Sequence, residues 1–360
     1  MNQRVSILSI TGLDCMGGVG IQADANTIMN MGANALTVIT AITVQSENKI
    51  KEIHYLDTNL IIEQVQSTIA NLHPRALKVG LVGNPNTIKA LRNEIIGCKN
   101  IVLDFCIITS SGRYTMNQDA IKAYVHYLLP LSSLLMLKCK EAELLLNRKI
   151  QSDEDMIEAA QKLVELGTQW VLLRGGSHTE GQLTALLYGE GKKKFFTSYN
   201  MEGWQKHGVS SALSTAIATR LGLGDNMETA ISKAHEYIHS QVVYALNTLS
   251  YSPRGGDLYN QFLSLIADNY AHAHDVNFYA DKLCITARYL NQITIKTVNK
   301  SPKQVIDDYL MQESKILLNT SRMTIQEISN RLGFSSQAMF CRFFKNIEGC
   351  TPSCYRNNLQ

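Results

Sequence analysis

Hydrophobic residues in the first 176 positions of this 360-residue chain cluster into short runs separated by more polar stretches. A run of four to eight apolar residues bounded by turn residues is typical of a strand buried on both faces. Six runs predict strands at residues 5–10, 35–42, 76–82, 101–105, 133–138 and 170–176. The first of these predicted strands leads into a glycine-rich turn at residues 11–20.

Between these runs, apolar residues recur every three to four positions, which is the spacing of a helix with one buried face. This spacing predicts helices near residues 21–31, 58–71, 86–96, 117–128, 141–147 and 153–166. Strands that alternate with helices indicate an α/β fold whose parallel sheet is covered on both faces. Ligands of such sheets bind beyond the carboxyl ends of the strands.

A purely helical pattern follows near the end of the chain. Ile325, Ile328 and Leu332 recur at helical spacing, Gly333 is placed to end that helix, and Ser335 or Ser336 can cap a second helix. The second helix has one apolar stripe, formed by Phe340, Phe343, Phe344 and Ile347. Helix, tight turn and helix in this order predict a helix-turn-helix unit.

Polar residues of the second helix fall mainly outside the apolar stripe and are candidates for contacting DNA. They are Ser336, Gln337, Cys341, Arg342 and Lys345. Arginine and glutamine side chains suit bidentate hydrogen bonds to guanine and adenine edges in the major groove, and a lysine suits phosphate.

An earlier segment, residues 278–302, predicts another unit of the same kind. Its second helix follows Thr286 and points Leu290, Ile293 and Val298 inward. The outward candidates for DNA contact are Arg288, Asn291, Gln292 and Lys296.

The residue types of the C-terminal segment carry a more specific signal than their spacing. They include Gly333-Phe334-Ser335, Phe340, Arg342, Phe344-Lys345, Gly349, Thr351-Pro352 and Tyr355-Arg356. This set resembles the signature that ends AraC-type transcription regulators, and the resemblance implies an all-α DNA-binding domain with two helix-turn-helix units. Ile295 departs from the family pattern, because such helices usually carry a basic residue near this position.

Charge supports a nucleic-acid partner for this part of the chain. Residues 282–360 contain 11 Lys or Arg against five acidic residues, whereas the formal net charge of the whole chain is only +3. A stretch rich in Ser, Pro and Gly precedes it and favours a linker. We therefore expect an α/β domain at 1–248, a linker at 249–258 and a DNA-binding domain at 259–360.

Cysteine spacing and hydropathy indicate in which compartment the protein is expected. The eight cysteines have no paired CxxC spacing and no companion histidine cluster, which argues against a metal site and against a disulfide framework. The first residues, MNQRVSILSITG, contain no apolar run long enough for a signal peptide or a membrane span. We expect a cytoplasmic protein that does not bind membranes.

The α/β segment also carries specific motifs. They are ITGLD at 10–14, GGVGIQAD at 17–24, Gln45, KVG at 78–80, VLD at 102–104, GGSH at 175–178 and His207-Gly208. They resemble the hydroxymethylpyrimidine and phosphomethylpyrimidine kinases of thiamin synthesis, which are ribokinase-like vitamin kinases. The resemblance, over residues 5–246, implies a ribokinase-like α/β/α sandwich with a pyrimidine pocket at Gly12, Asp24, Gln45, Leu81 and Ser211.

The phosphoryl-transfer motifs depart from this family. The family's catalytic loop has the form HGTGC, but this chain has His207-Gly-Val-Ser-Ser211, so that Ser210 replaces a glycine and Ser211 replaces the acid–base residue. A serine hydroxyl without a partner base accepts protons poorly at neutral pH. The family's metal-organising Asn is absent upstream of Glu141, and Arg174 replaces a lysine on the nucleotide side. These changes predict a degenerate kinase with no catalytic residues.

Our interpretation is a transcription regulator that senses hydroxymethylpyrimidine or its phosphate and binds promoter DNA of thiamin-related genes. We expect no required cofactor and no bound metal, and the substitutions give reason to doubt that ATP and Mg²⁺ still bind. A homodimer is expected, and RNA polymerase is a candidate partner. Two alternatives stay open: an active bifunctional kinase that also binds DNA, and a sensor of a pyridoxal-type vitamer.

Overall fold

The computed structural model describes residues 4–46, 49–108, 114–176, 182–199, 209–248, 256–321 and 323–357. The chain divides into two compact units, residues 1–238 and 239–360. Among the described residues, no helix is both long and apolar enough to cross a membrane.

The first unit is built on a nine-stranded sheet. Its strands are β1 (Ser6–Asp14), β2 (Asn34–Ser46), β3 (Lys49–Tyr55), β4 (Ala76–Val79), β5 (Ile101–Asp104), β6 (Leu134–Lys138), β7 (Trp170–Gly176), β8 (Gln182–Gly189) and β9 (Lys192–Tyr199). Their spatial order is β3-β2-β1-β4-β5-β6-β7-β8-β9.

Helices cover both faces of this sheet. They are α1 (Gly20–Asn30), α2 (Thr58–Leu72), α3 (Pro85–Ile95), α4 (Gln118–Ala123), α5 (Cys139–Leu146), α6 (Asp153–Glu165), α7 (Val209–Gly222) and α8 (Met227–Thr248). One core cluster joins β1, β4 and β5 to α2, α3 and α6, and a second joins the other face of the same strands to α1, α7 and α8. The predicted α/β/α sandwich is confirmed.

The sheet is mixed rather than wholly parallel, which corrects the prediction. β2–β3, β7–β8 and β8–β9 pair in antiparallel fashion, while the six central strands from β2 to β7 pair in parallel. The strands β3, β8 and β9 were not predicted. Those at the sheet edges, β3 and β9, are rich in lysine and contain no long apolar run, because they need not be buried on both faces.

β1 also continues further than its apolar run, through Thr11 to Asp14. Thr11, Leu13 and Asp14 pair with Ile39, Ile42 and Thr43 of β2, and this pairing keeps the first part of the predicted glycine-rich turn extended.

The second unit is all helical. Its helices are α9 (Gly256–Asn269), α10 (Val276–Lys282), α11 (Ala287–Val298), α12 (Pro302–Thr320), α13 (Ile325–Arg331), α14 (Gln337–Glu348) and α15 (Pro352–Asn357). The pairs α10–α11 and α13–α14 are the two expected helix-turn-helix units. Phe340 and Phe344 of α14 are buried against Ile328 of α13, against Leu332 at the end of that helix, and against α12.

Local capping explains the second helix-turn-helix unit. Ser336 is the N-cap of α14 and accepts a hydrogen bond from the backbone of Met339 at 3.3 Å. Gly333 has a φ of +76°, and a Cβ at this position would collide with the carbonyl oxygen of Ala271. The turn therefore needs glycine for both its backbone conformation and its close approach.

The predicted linker falls partly on residues 249–255, which lie outside the described residues, and α9 already begins at Gly256. The division between the compact units falls within α8, ten residues before the predicted domain end at 248.

Candidate ligand site and DNA-binding surface

The loop after β1 folds around the carboxylate of Asp14. This carboxylate accepts backbone hydrogen bonds from Met16 at 2.8 Å, Gly18 at 3.1 Å and Val19 at 3.0 Å. The side-chain amide of Gln45 on β2 donates to the same carboxylate. Asp14 thus fixes the loop and holds one of the predicted pocket residues beside it.

Two more predicted pocket residues lie against each other. A Cβ on Gly12 would lie 3.0 Å from Cδ2 of Leu81 and 3.5 Å from the carbonyl oxygen of Ala41. Gly20, at a φ of +72°, approaches the carbonyl oxygen of Gly12 too closely for any side chain. Glycine at position 20 therefore lets the start of α1 contact β1, and glycine at position 12 leaves room for Leu81.

Asp24 lies in a buried polar network, 0% exposed. Its Oδ2 accepts hydrogen bonds from Ser9 Oγ at 2.6 Å and Lys78 Nζ at 2.8 Å. Its Oδ1 accepts from Ser211 Oγ at 2.9 Å and Thr215 Oγ1 at 2.7 Å. The predicted pocket residues Asp24 and Ser211 are therefore in direct contact, but a ligand that bonds to Asp24 must replace one of these donors.

Asp104, at the carboxyl end of β5, is the second acid of this network. It accepts from Ser214 Oγ at 2.9 Å and from Ser210 Oγ at 3.5 Å, and Lys78 Nζ lies 4.0 Å from it. Burial raises the pKa of the Asp104 carboxyl, and the nearby Lys78 ammonium opposes that rise. The four hydroxyl groups in the first two turns of α7 thus all donate hydrogen bonds to Asp24 or Asp104.

Arg174, at the end of β7, reaches the same turn of α7. Its Nη1 donates to Ser210 Oγ at 2.9 Å and lies 3.5 Å from the sulfur of Met136. Both members of the pair are departures from the kinase motifs, and they contact each other. His207 and Gly208 of the same loop lie outside the described residues.

Glu141, which this chain shares with the kinase motif, has a structural role at the start of α5. It is 3% exposed and accepts backbone hydrogen bonds from Ile107 at 3.1 Å and Lys138 at 2.8 Å. Burial raises the pKa of its carboxyl. The bond to Lys138 completes a capping box, so the glutamate stabilises the helix start.

A cleft of about 790 Å³ opens beyond the carboxyl ends of β4 and β5. Tyr55, Gly83, Thr115 and Met116 are among its lining residues. Tyr55, which lines the cleft, pairs with Ala41, and the carbonyl oxygen of Ala41 lies beside Gly12. Gly12 and Leu81 themselves are not among the lining residues. This is the edge at which ligands of parallel sheets bind.

The sequence analysis did not select Lys78, Asp104, Ser214 or Thr215 as site residues. A signal existed for Lys78, because a lysine within a buried apolar strand needs a buried partner. For Ser214 and Thr215, the signal was their position one helical turn after Ser210 and Ser211.

The DNA-contact candidates of the second unit are mostly on exposed faces. On α11, the exposed residues include Arg288, Asn291, Gln292 and Lys296. At and along α14, they include Ser336, Gln337, Arg342 and Lys345.

Two placements on α14 differ from the sequence-based expectation. Cys341 is only half-exposed, and burial raises the pKa of its thiol. Ile347 is 49% exposed rather than packed in the apolar stripe, whereas Phe340 and Phe344 are buried and Phe343 packs against them partly buried.

Comparison with known proteins agrees with both units. Residues 14–253 match the family model described as phosphomethylpyrimidine kinase, and residues 279–358 match one described as a helix-turn-helix domain. Over 239 residues the chain is 32% identical to the hydroxymethylpyrimidine/phosphomethylpyrimidine kinase of Rhizobium meliloti, covering 65% of this chain and 89% of that protein. It is 30% identical over 241 residues to the thiamine biosynthesis bifunctional protein ThiED of Geobacter sulfurreducens, covering 66% of this chain and 49% of that protein. The chain thus spans about half the length of this second relative.

Among solved structures, the phosphomethylpyrimidine kinase from Clostridium difficile 630 aligns with a TM-score of 0.59 at 31% identity, covering 66% of this chain and all of that one. Bacillus subtilis pyridoxal kinase in its ADP complex aligns with a TM-score of 0.61 at 24% identity, covering 70% of this chain and 94% of that one. At this lower identity the likeness shows the fold alone. The chain therefore belongs to the phosphomethylpyrimidine kinase family through its first unit, and it joins that unit to an AraC-type helix-turn-helix domain.

Proposed function

We propose that this chain is a transcription regulator whose kinase-like unit binds hydroxymethylpyrimidine or its phosphate without phosphorylating it. The AraC-type domain then binds promoters of thiamin-related genes in response to the ligand. The pairing of the two domains supports the regulon, since a sensor is useful where its ligand reports the pathway under control.

The observation that carries this proposal is the bonding of Ser211 on α7. Its hydroxyl donates to Asp24 and accepts a hydrogen bond from Lys78 Nζ at 3.0 Å. A general base must accept a proton from the substrate hydroxyl. A serine hydroxyl stays protonated at neutral pH, and the oxygen of Ser211 already accepts a hydrogen bond from an ammonium group, so Ser211 is poorly suited to act as a base.

The Arg174–Ser210 contact supports the same conclusion. In the related kinases a glycine lets backbone amides approach the transferring phosphoryl group at the start of a helix. Here a serine side chain stands at that position and is bonded to a guanidinium group. The proposed function therefore needs neither ATP nor Mg²⁺, and no other cofactor.

We expect no measurable kinase turnover. The purified full-length chain is incubated with hydroxymethylpyrimidine, ATP and Mg²⁺, and ADP formation is followed, with an active phosphomethylpyrimidine kinase as the positive control. Pyrimidine-dependent turnover at about one per second or faster, which is typical of enzymes, would contradict the proposal. That result would instead support the bifunctional kinase, which the retained Glu141 favours.

Gln45→Ala is expected to weaken pyrimidine binding by roughly 5- to 150-fold, because about 1 to 3 kcal/mol is lost when a polar ligand group is left unpaired. Calorimetry on the full chain measures this effect. Gln66→Ala, at an exposed glutamine of α2, is the matched control. Equal affinities of Gln45→Ala and wild type would remove Gln45 from the pocket, and preferential binding of a pyridoxal vitamer would change the ligand class. Asp24 is a less clean test, because its replacement also removes the nearest carboxylate partner of the buried Lys78.

Arg342→Ala is expected to relax the choice of operator, whereas Lys345→Ala weakens binding to all sequences alike. Both side chains are exposed on α14. Loss of a bidentate guanine contact costs about 1 to 3 kcal/mol at one base pair, while loss of a phosphate contact lowers the salt slope by about one counterion. Binding to an operator and its single-base variants at fixed salt separates the two effects. Identical sequence ranking by wild type and Arg342→Ala would remove Arg342 from base recognition.

The proposed regulator acts as a homodimer and contacts RNA polymerase at the promoter. Sedimentation of the full chain with and without operator DNA tests the dimer. A monomer under both conditions would contradict it.

A further inference from the structure

Large apolar side chains stand exposed on both recognition helices. Ile295 on α11 is 45% exposed, and Met339 on α14 is 56% exposed. Single exposed apolar residues are common on protein surfaces. These two differ because each stands among side chains that are candidates for contacting DNA.

Helix geometry places both residues on the outward faces. Ile295 is four residues after Asn291 and three after Gln292, and all three are exposed. Met339 is three residues before the exposed Arg342. Residues three or four apart on a helix are neighbours, so each apolar side chain adjoins a candidate base-contacting residue.

Ile347 provides an internal contrast on α14. It is 49% exposed, close to the value for Met339. However, it follows Phe343 by four residues and is rotated by about 140° from Arg342, at 100° per residue. An exposed apolar side chain therefore exists on the same helix outside the face that carries Arg342.

The chemistry of the major groove offers one apolar target. Thymine is the base that presents a methyl group there, whereas the other major-groove edges present hydrogen-bond donors and acceptors. A flexible methionine and a branched isoleucine can both cover such a methyl group. The hydroxyl of Ser335 donates a hydrogen bond to the sulfur of Met339 at 3.0 Å, and this contact holds the methionine side chain near the start of α14.

We propose that Ile295 and Met339 contribute to operator choice by contacting the 5-methyl groups of two thymines in the major groove. This inference depends on DNA binding by the helix-turn-helix domain and is independent of the ligand proposed for the first unit.

The test uses the full chain and an operator selected with it from a random duplex library. Each thymidine in that operator is replaced, one at a time, by deoxyuridine, which removes only the methyl group. Binding of wild type, Ile295→Ala, Met339→Ala and the control Ile347→Ala is measured at one fixed salt concentration, since affinity for DNA depends on salt. Circular dichroism checks that each variant is folded.

For wild type and Ile347→Ala, we expect deoxyuridine to weaken binding roughly three- to tenfold at two positions in the half-site of each bound copy of the chain, as loss of a buried methyl group predicts. Met339→Ala should lose this sensitivity at one position, and Ile295→Ala should lose it at the other. If wild type is insensitive at every position, or if both variants keep its full pattern, the inference is wrong. If only one variant loses sensitivity to deoxyuridine, the thymine contact is assigned to that residue alone and the other residue makes none.

Discussion

Lys78→Met is expected to destabilise the first unit by about 3 to 5 kcal/mol, the effect of removing one partner from a buried ion pair. Lys78 is 1% exposed, and its ammonium contacts Asp24 and Ser211 and lies near Asp104. Methionine keeps much of the volume but supplies no charge and no donor. Two buried carboxylates would then remain without their shared cation, which is costly because water cannot reach them.

Urea unfolding of the full chain, followed by a signal from the first unit, measures this loss. Lys149→Met is the matched control, because Lys149 is 79% exposed and its ion pair with Glu143 spans 3.4 Å at the surface. Exposed pairs of this kind contribute little, so the control should unfold almost as wild type does. A Lys78→Met chain as stable as the control would show that the buried network does not stabilise the fold.

The destabilisation should shrink as the pH falls from 7 towards 5. Burial already raises the pKa of Asp104, and Lys78 opposes that rise, so removing the lysine raises the pKa further in the folded chain. A carboxyl whose pKa is higher folded than unfolded binds more protons in the folded state, and stability is then gained as the pH falls through that pKa. Repeating the unfolding experiment at both pH values tests whether the lost stability is electrostatic. A difference from wild type that does not change with pH would indicate a packing defect instead.

Gly20→Ala is expected to destabilise the first unit by about 3 to 5 kcal/mol or to prevent its folding, as clashes in close-packed regions do. Gly20 has a φ of +72°, and its Cβ position is occupied by the carbonyl oxygen of Gly12. Both groups in this clash are held by the backbone of β1 and α1, so neither can move aside as a flexible side chain would. The same change would separate the start of α1 from the predicted pocket residue Gly12.

Gly17→Ala is the matched control in the same loop. Gly17 has a φ of +73°, but apart from its chain neighbours no atom of the described residues lies within 4 Å of its Cβ position. Alanine there should cost only the strain of the left-handed conformation, about 1 to 2 kcal/mol. Thermal unfolding of the two variants separates conformational strain from close approach. Equal melting temperatures would mean that the Gly12–Gly20 contact is less tight than described.

Local patterns in the sequence were enough to establish the main architecture. The apolar runs at β4 to β7 are buried on both faces and therefore contain few polar residues, which makes parallel strands visible without a structure. The second helix-turn-helix unit was equally visible. Its cap Ser336, its turn residue Gly333 and the buried Phe340 and Phe344 all act within a few residues of one another.

The tertiary structure decided what depends on residues far apart in sequence. The edge strands β3 and β9 carry no long apolar run like those of the central strands, and the pairing partners of β3, β8 and β9 determine their antiparallel direction. Similarly, only packing could place Ile347 in solvent and half-bury Cys341, because both follow the same helical spacing as their neighbours.

The candidate site illustrates this division most clearly. Sequence motifs selected Asp24 and Ser211, but not the lysine between them. Lys78 lies 54 positions from Asp24, and Ser211 lies 187 positions from it, yet all three are bonded in the folded chain. A buried charge must find its hydrogen-bond partners wherever the fold brings them, and no local pattern states which residues those are. The sequence by itself therefore determined the two kinds of domain and the departures from the kinase motifs, whereas the tertiary structure decided which side chains those departures contact.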